Sequence, residues 1–230
     1  MILADKLLNA TFLERPNRYL AIVELDGENV EAYVPNPGRM KELLIAGVPV
    51  KLRQAKNPNR KTAYDLVLVE YQNQWVCIDS QVPNQFLLEF LSNKGLDEFD
   101  RYDHIKKEKT YQNSRFDFLL ESESGDACYI EAKSCTLVVD GVALFPDAPT
   151  KRGARHMDEL AHAVKNGFEA YVIIVIQRDD ATSFSPNEKT DPDFAEAIRN
   201  AVQNGVNVIA ITTTINENEI IFVNRVEVNL

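Results

Sequence analysis

The sequence reads SRFDFLL at residues 114–120 and YIEAKS at residues 129–134, with a polar, glycine-containing segment between them. Two apolar runs around such a segment are typical of antiparallel strands joined by a tight turn. Side chains alternate along a strand, so Glu131 and Lys133 are expected on one face, and the hairpin brings Asp117 beside them. The stretch predicts two carboxylates and one ammonium at one point of a sheet.

The segments around this hairpin predict a mixed α/β domain over residues 83–230. Helical spacing of apolar residues, branched apolar runs and turn residues define the elements. These elements are, in order, a helix after Pro83, strands at about 103–111, 115–121 and 127–134, a hairpin at Asp140-Gly141, a helix at about 151–166, a strand at 170–177, a helix at about 192–204, and strands near 206–214 and 219–223. Helix, three strands, helix and strand form an α/β core.

Residues 1–82 read differently, as a series of short strands. They are expected at residues 6–13, 18–25, 29–34, 49–54, 64–70 and 75–78. A hairpin turn signal, Asp26-Gly27, separates the second from the third. Five or six short strands with a basic loop fit a small barrel of the oligonucleotide-binding (OB) type, and strand count alone leaves an SH3-like barrel open.

The composition is that of an ordinary globular protein. The chain has 230 residues, of which 45% are hydrophobic, and three cysteines without paired spacing, which predict reduced thiols. Three histidines and no Cys-x-x-Cys argue against a zinc site. Without a signal-peptide run or a membrane-length apolar segment, we expect a cytoplasmic protein and no membrane partner. A homodimer is left open.

Charge is unevenly distributed along the chain. The net charge is −10, yet residues 1–82 carry ten basic and ten acidic residues. One basic group in this part is opposed only by Glu42; its members are Arg39, Lys41, Lys51, Arg53, Lys56, Arg60 and Lys61. Such a patch can hold a phosphate backbone despite an acidic total, and a solvated loop face is the alternative.

The chemistry predicted for the hairpin is metal-assisted phosphodiester hydrolysis. Asp117, Glu131 and the backbone carbonyl of Ala132 are hard oxygen ligands of the kind that Mg²⁺ or Mn²⁺ takes. Lys133 is suited to orient or deprotonate a water and to offset charge at phosphorus. The motif alone is weak, because a lysine near acids is commonly a surface ion pair.

Further candidates surround this motif. Glu108, near the end of the preceding strand, is a candidate extra ligand or supporting acid, and an exposed glutamate among lysines is the alternative. Arg115 is expected on the same face as Asp117, within reach of a phosphate oxygen. Gln177 ends the buried strand, where it could order a water or phosphate. Cations collect where the 151–166 helix starts, which indicates a nearby anion; they are Lys151, Arg152, Arg155 and His156.

Several longer strings resemble the sugar fermentation stimulation protein family (SfsA) over nearly the whole chain. They include Ser114-Arg115-Phe116-Asp117-Phe118, Tyr129-Ile130-Glu131-Ala132-Lys133-Ser134, Pro83-Asn84, Phe145-Pro146-Asp147-Ala148, and His156 with Glu159-Leu160. The resemblance implies an OB-like domain, then a nuclease-like domain of the PD-(D/E)xK type, with Asp117, Glu131 and Lys133 in the motif positions, and DNA binding. It also marks Asp147, as a further ligand or a helix cap, although Thr150 is the better cap candidate.

Together these observations predict an α+β protein. Residues 1–82 form an OB-like β-barrel, and residues 83–230 form an α/β, PD-(D/E)xK restriction-endonuclease-like domain. The favoured function is DNA binding without sequence specificity, with a Mg²⁺- or Mn²⁺-dependent nuclease site. A DNA-binding regulator of sugar metabolism genes that no longer cuts is the alternative, and a binder of nucleotides or sugar phosphates is the third.

Overall fold

A computed structural model describes residues 1–230, and the first part of the chain forms a closed barrel. Its strands are β1 (Leu7–Asn17), β2 (Leu20–Leu25), β3 (Glu28–Tyr33), β4 (Pro49–Gln54), β5 (Tyr64–Tyr71) and β6 (Gln74–Cys77). The sheet order is β3-β2-β1-β4-β5-β6, and a parallel β3–β5 pairing closes five strands into a barrel. The predicted OB domain is therefore confirmed. Asp26 and Gly27 have φ values of 53° and 83°, as the predicted hairpin turn requires.

The second part is a nine-stranded mixed sheet with helices on both faces. Its elements are α1 (Val82–Ser92), a 3₁₀ turn (Asp97–Phe99), β7 (His104–Tyr111), β8 (Ser114–Glu121), β9 (Ala127–Cys135), β10 (Val138–Val139), β11 (Val142–Phe145), α2 (Lys151–Lys165), β12 (Glu169–Ile176), β13 (Ser183–Pro186), α3 (Pro192–Gln203), β14 (Asn207–Asn216) and β15 (Glu219–Val228). The strand order is β10-β11-β13-β15-β14-β12-β9-β8-β7. This confirms the predicted α/β domain, to which the structure adds β13 and the 3₁₀ turn.

Two apolar cores cover the two faces of this sheet. On one face, α2 and α3 contribute Met157 and Phe194 to a core that also contains Ile174 of β12. On the other face, Phe86 of α1 packs with Ile173 of the same strand. Neighbouring residues of β12 thus enter opposite cores, which explains its uninterrupted apolar sequence.

The core beneath α1 also joins the two domains. Val67 and Leu68 of the barrel belong to it, so the barrel packs on the same side of the sheet as α1. The guanidinium of Arg178 lies 4.6 Å from the ring centroid of Tyr71 across the boundary. Residues 1–3, which the sequence places with the barrel, lie against the second domain, where Ile2 pairs with β15. The site is therefore built at a fixed junction of the two domains.

No helix in this fold combines the length and the apolar character that crossing a membrane requires.

Candidate active site

The site lies where β8 and β9 separate. Their ladder ends at the pair Phe118–Ile130, and Asp117, the next residue of β8, fills the opening with its side chain. Its Oδ2 accepts a hydrogen bond from the backbone N–H of Ala132 at 2.8 Å, and its Oδ1 accepts one from Nδ2 of Asn84 at 2.6 Å. The carboxylate thus satisfies a buried backbone donor that the strand pairing leaves free.

The regular alternation of side chains breaks at this point. Phe118 and Leu120 enter the core beneath α1, whereas Phe116, which regular alternation would place with them, enters the core beneath α2. Asp117 consequently reaches Asn84 on α1 and still lies close to Glu131. The hairpin prediction that Asp117 lies beside the glutamate is met through this irregularity rather than through a regular strand.

Glu131 is almost completely buried, with 4% of its surface exposed. Its Oε1 accepts hydrogen bonds from Nζ of Lys133 and from Nδ1 of His156, the latter at 2.6 Å. Its Oε2 is buried and has no hydrogen-bond partner in the protein. Buried carboxylate oxygens are nearly always paired, so this oxygen is suited to a water or a cation.

His156 holds Glu131 in place and is itself held by Arg152. The Nε of Arg152 donates to Nε2 of His156 at 3.2 Å, which leaves the imidazole proton on Nδ1, pointing at Glu131. The helix that carries both residues is capped as predicted, since Oγ1 of Thr150 accepts from the backbone N–H of Gly153. The contact of His156 with DNA stays a prediction; in the structure this side chain is 2% exposed and bonded inward.

The two carboxylates differ in their electrostatics. Burial, and next the charge of Glu131, raise the pKa of Asp117 to about 6, although Lys133 and the bonds from Ala132 and Asn84 oppose the rise. Burial would also raise the pKa of Glu131, but Lys133 and His156 more than offset it and lower that pKa. A bound cation would offset the repulsion between the two carboxylates, which is one of the causes that raise the pKa of Asp117.

The donor set fits a hard divalent cation. Asp117 and Glu131 supply carboxylate oxygens, one of which is an unpartnered buried atom. The N–H and C=O of one strand residue point to the same side, so the carbonyl of Ala132 also faces the opening. No group of three His, Cys, Asp or Glu side chains converges here. The protein ligands would thus be two carboxylates and one carbonyl, with water or substrate oxygens completing the shell.

Glu108 lies in the register opposite Asp117, between the pairs Lys107–Phe118 and Lys109–Phe116. Its side chain is 68% exposed and lies 3.5 Å from Arg115, which is 58% exposed. Its catalytic role stays a prediction, and so does the phosphate contact of Arg115.

Two clefts reach the site. The larger, of about 630 Å³, is lined by Asn84, Glu108 and Asp117 among others. The smaller, of about 310 Å³, lies between the domains and reaches Lys133. Ser80, just before α1, lines both. Asp117 and Lys133 therefore line different clefts.

The other residues of the second domain that are predicted to contact DNA differ in how exposed they are. Lys151, Arg152 and Arg155 are exposed at the start of α2, where contact with a phosphate backbone is open to them. Gln177 is 1% exposed, and its Nε2 donates to Oγ of Ser134 at 2.8 Å. The contact of Gln177 with DNA stays a prediction; in the structure Gln177 supports Ser134 in the wall of the smaller cleft.

Part of the predicted basic patch is neutralised within the barrel. Nη2 of Arg53 lies 3.2 Å from Asp65 and 2.7 Å from Asp79, and Nη2 of Arg60 lies 2.7 Å from Asp65. Arg53 and Asp65 face each other in the β4–β5 register. The side chain of Arg53 is 24% exposed, so its first role is structural.

The remaining cations of the patch are more accessible. Lys51 lies with its Nζ 4.7 Å from the ring centroid of Trp75, and Arg39 and Lys61 are exposed. Their contact with DNA stays a prediction. Asp147, marked by the family resemblance, accepts from the backbone N–H of Met40 at 3.1 Å, so it links the two domains and is not the cap of α2.

Asn84 and Arg18 were missed from sequence, and His156 was predicted with a different role. Asn84 could have been found, because it stands in a family string directly after Pro83. No local sequence pattern indicates that His156 bonds to Glu131 or that Arg18 lines the smaller cleft, because both features depend on contacts between segments distant in sequence.

Comparison with known proteins assigns both parts of the chain. Residues 13–78 match the family model described as SfsA N-terminal OB domain, and residues 81–219 match the one described as Sugar fermentation stimulation protein RE domain. Two relatives carry the description "Sugar fermentation stimulation protein homolog". The one from Clostridium acetobutylicum is 44% identical over 221 residues, covering 96% of each chain, and the one from Caldanaerobacter subterraneus subsp. tengcongensis is 43% identical over 230 residues, covering 100% of each.

A solved structure of similar extent is that of Pyrococcus furiosus SfsA in complex with Ca²⁺. It is 28% identical in sequence, covers 100% of both chains, and superposes with a TM-score of 0.92. The arrangement of the two domains is thus shared with that protein.

Proposed function

The chain belongs to the sugar fermentation stimulation protein family, and from that premise we propose that it is a DNA-binding, divalent-metal-dependent phosphodiesterase. The observation that carries this proposal is the unpartnered, buried Oε2 of Glu131 beside Asp117 and Lys133. A fold that only needed to be stable would not retain two repelling carboxylates, one with an unpaired oxygen, in its interior.

The residues take distinct parts in the proposed reaction. Asp117, Glu131 and the carbonyl of Ala132 would hold Mg²⁺ or Mn²⁺, which when bound neutralises phosphate charge and lowers the pKa of a coordinated water. Lys133 is fixed by Oε1 of Glu131 and lines the smaller cleft, so its ammonium can face a phosphate oxygen or the attacking water. Asn84 and His156 orient the two carboxylates.

The Pyrococcus furiosus SfsA structure in complex with Ca²⁺ supports a divalent cation here, because Ca²⁺ and Mg²⁺ both take oxygen ligands. DNA as the partner is supported by exposed cations at the start of α2 and on the barrel. Contacts of lysine and arginine with phosphates carry no base information, which favours binding without sequence specificity.

The direct test is cleavage of single- and double-stranded DNA and RNA with Mg²⁺ or Mn²⁺, comparing the wild type with Asp117→Ala and Lys133→Ala. We expect cleavage that EDTA abolishes and that each substitution reduces at least about 100-fold, the typical loss when a group stabilising transition-state charge is removed. Asp158→Asn, on an exposed turn of α2, is the matched control and should cut at the wild-type rate.

The proposal fails if no substrate is cut, or if both site variants cut as fast as the wild type. Binding of DNA without any cleavage would instead favour the regulator that no longer cuts.

A further inference from the structure

Two tyrosines form an exposed aromatic step on the barrel. Tyr19, between β1 and β2, is 47% exposed, and its ring stacks on that of Tyr33 with centroids 6.2 Å apart and planes 17° from parallel. The guanidinium of Arg60 lies 5.2 Å from the centroid of Tyr33. A lone surface tyrosine needs no explanation, but stacked rings beside an arginine combine the groups on which nucleic acid bases stack.

The loop that carries Tyr19 is held rigidly. The guanidinium of Arg15 donates to four backbone carbonyls, and these are Arg18 at 2.6 Å, Gly38 at 2.8 Å, Asn36 at 2.9 Å and Arg39 at 2.9 Å. The backbone N–H of Tyr19 donates to Oδ1 of Asn17, and its carbonyl accepts from Val34. One arginine therefore ties the Asn17–Tyr19 loop to the loop at 36–39. A surface fixed before binding loses little entropy on binding.

Cations connect this step to the candidate active site. Arg18, next to Tyr19, lines the cavity of about 310 Å³ that also contains Lys133 and Ser134. Arg18 also lines a neighbouring cleft together with Arg39. The acid in the cavity wall, Asp147, is engaged by the backbone N–H of Met40. The route from the aromatic step to the site thus carries Arg18 at one end and Lys133 at the other, with Asp147 as the one acid in the cavity wall.

We propose that this surface binds single-stranded nucleic acid: a base stacks on the exposed ring of Tyr19, which Tyr33 supports from behind, and Arg18 guides the backbone through the cavity towards Lys133. The destination rests on the proposed function of the site, while the binding surface stands on its own contacts. A tyrosine along a strand can stack only on a base whose face is free, as the bases of a single strand are and the internal bases of a duplex are not. A cavity of about 310 Å³ is at the lower end for ligand pockets and admits a nucleotide, not a duplex whose major groove alone is about 12 Å wide.

The test is fluorescence anisotropy with a short labelled oligothymidylate and with the matching duplex, at low salt in EDTA so that nothing is cut. Tyr19→Ala should weaken binding of the single strand about 5- to 150-fold, because stacking of one base is worth roughly 1–3 kcal/mol. Tyr19→Phe, which keeps the ring, should bind like the wild type. Arg18→Ala should weaken binding and reduce its log-log salt slope by about one.

Ile45→Ala is the control for removing an exposed apolar side chain from the barrel, since Ile45 is 55% exposed, and it should leave affinity unchanged. Thermal unfolding by circular dichroism checks that each variant is folded.

The inference is overturned if Tyr19→Ala binds the single strand like the wild type, or if the duplex binds as tightly as the single strand. A separate cleavage assay tells its failure from that of the proposed function. If duplex DNA is cut and Tyr19→Ala cuts normally, the site is a nuclease and the aromatic step is not its entrance. If Tyr19→Ala loses the single strand while no substrate is cut, the binding surface stands and the enzyme assignment falls.

Discussion

Replacing Asp117 by asparagine should make the metal-free protein more stable at neutral pH. Burial and the charge of Glu131 raise the pKa of Asp117 to about 6 from an ordinary 3.8. The folded state therefore binds more protons than the unfolded state between these values. The free energy of unfolding then falls as pH rises through this window, and the loss persists above it.

The difference between 3.8 and about 6 corresponds to about 3 kcal/mol. Asparagine resembles the neutral acid, and its Oδ1 can still accept from the backbone N–H of Ala132. The NH₂ group of the new asparagine would face the NH₂ group of Asn84. The side-chain amide of Asn84 can flip, so that its oxygen accepts a hydrogen bond there instead. The expected gain above pH 7 is accordingly about 2–3 kcal/mol, slightly below the full difference.

The assay is urea denaturation followed by far-UV circular dichroism in EDTA, at about pH 3 and about pH 8, on either side of the titration. The wild type and Asp117→Asn should have equal midpoints at the acid pH, and the variant should have the higher midpoint at the alkaline pH. Titrating groups that are remote from Asp117 are common to both proteins and cancel in the difference. Asp158→Asn, which changes an exposed aspartate, should show no gain at either pH.

With Mn²⁺ at the alkaline pH, the wild type should have the higher urea midpoint, because only the wild type retains the carboxylate pair and gains stability by binding the ion. A variant that is no more stable than the wild type in EDTA at about pH 8 would refute the claim that Asp117 is ionised at a cost.

Two further predictions follow from the contacts of buried charges. His156→Ala should leave Glu131 with one fewer donor and weaken Mn²⁺ binding about 10- to 100-fold by titration calorimetry, as typical for a residue that supports a metal ligand; His156→Gln, which can still donate, should recover part of the affinity. Arg53→Ala should destabilise the protein by about 3–5 kcal/mol in urea melts, because Asp79, 2% exposed, loses its buried partner, whereas Lys61→Ala, at an exposed lysine, should change stability little.

The sequence predicts the fold well wherever a residue pattern and a turn agree. Strand β4 has the predicted bounds, Pro49–Gln54, and α2 and α3 differ from prediction by one residue at their ends. The strand Ser183–Pro186 was missed because four residues with two serines and a proline have low strand propensity; its pairing with β11 and β15 creates it. Strand β15 runs five residues beyond its predicted end, through the sequence Asn-Arg-Val-Glu-Val, whose register is set by β14 and β13.

The site could be predicted only as far as local sequence reaches. Asp117, Glu131 and Lys133 stand in two neighbouring strands, so a hairpin suffices to bring them together. The partners that orient them come from helices far away in sequence, and a strand pattern contains no information about them. The neutralisation of Arg53 could not be predicted for the same reason. Along the chain no acid lies close to Arg53, but antiparallel pairing of β4 and β5 brings Asp65 across from it.

The break in strand alternation at Asp117 connects these observations into one physical account. A regular strand would keep Asp117 on the face with Leu119 and pair its backbone with β9, leaving no opening and no donor for its carboxylate. By separating there, β8 lets the aspartate bind the backbone of Ala132, and it also places the carboxylate close enough to Glu131 for the two to repel. The protein tolerates this local cost because two apolar cores fix the strands on either side. The same rigidity presents an oxygen-lined opening in advance, so binding of a cation relieves repulsion without rearranging the fold.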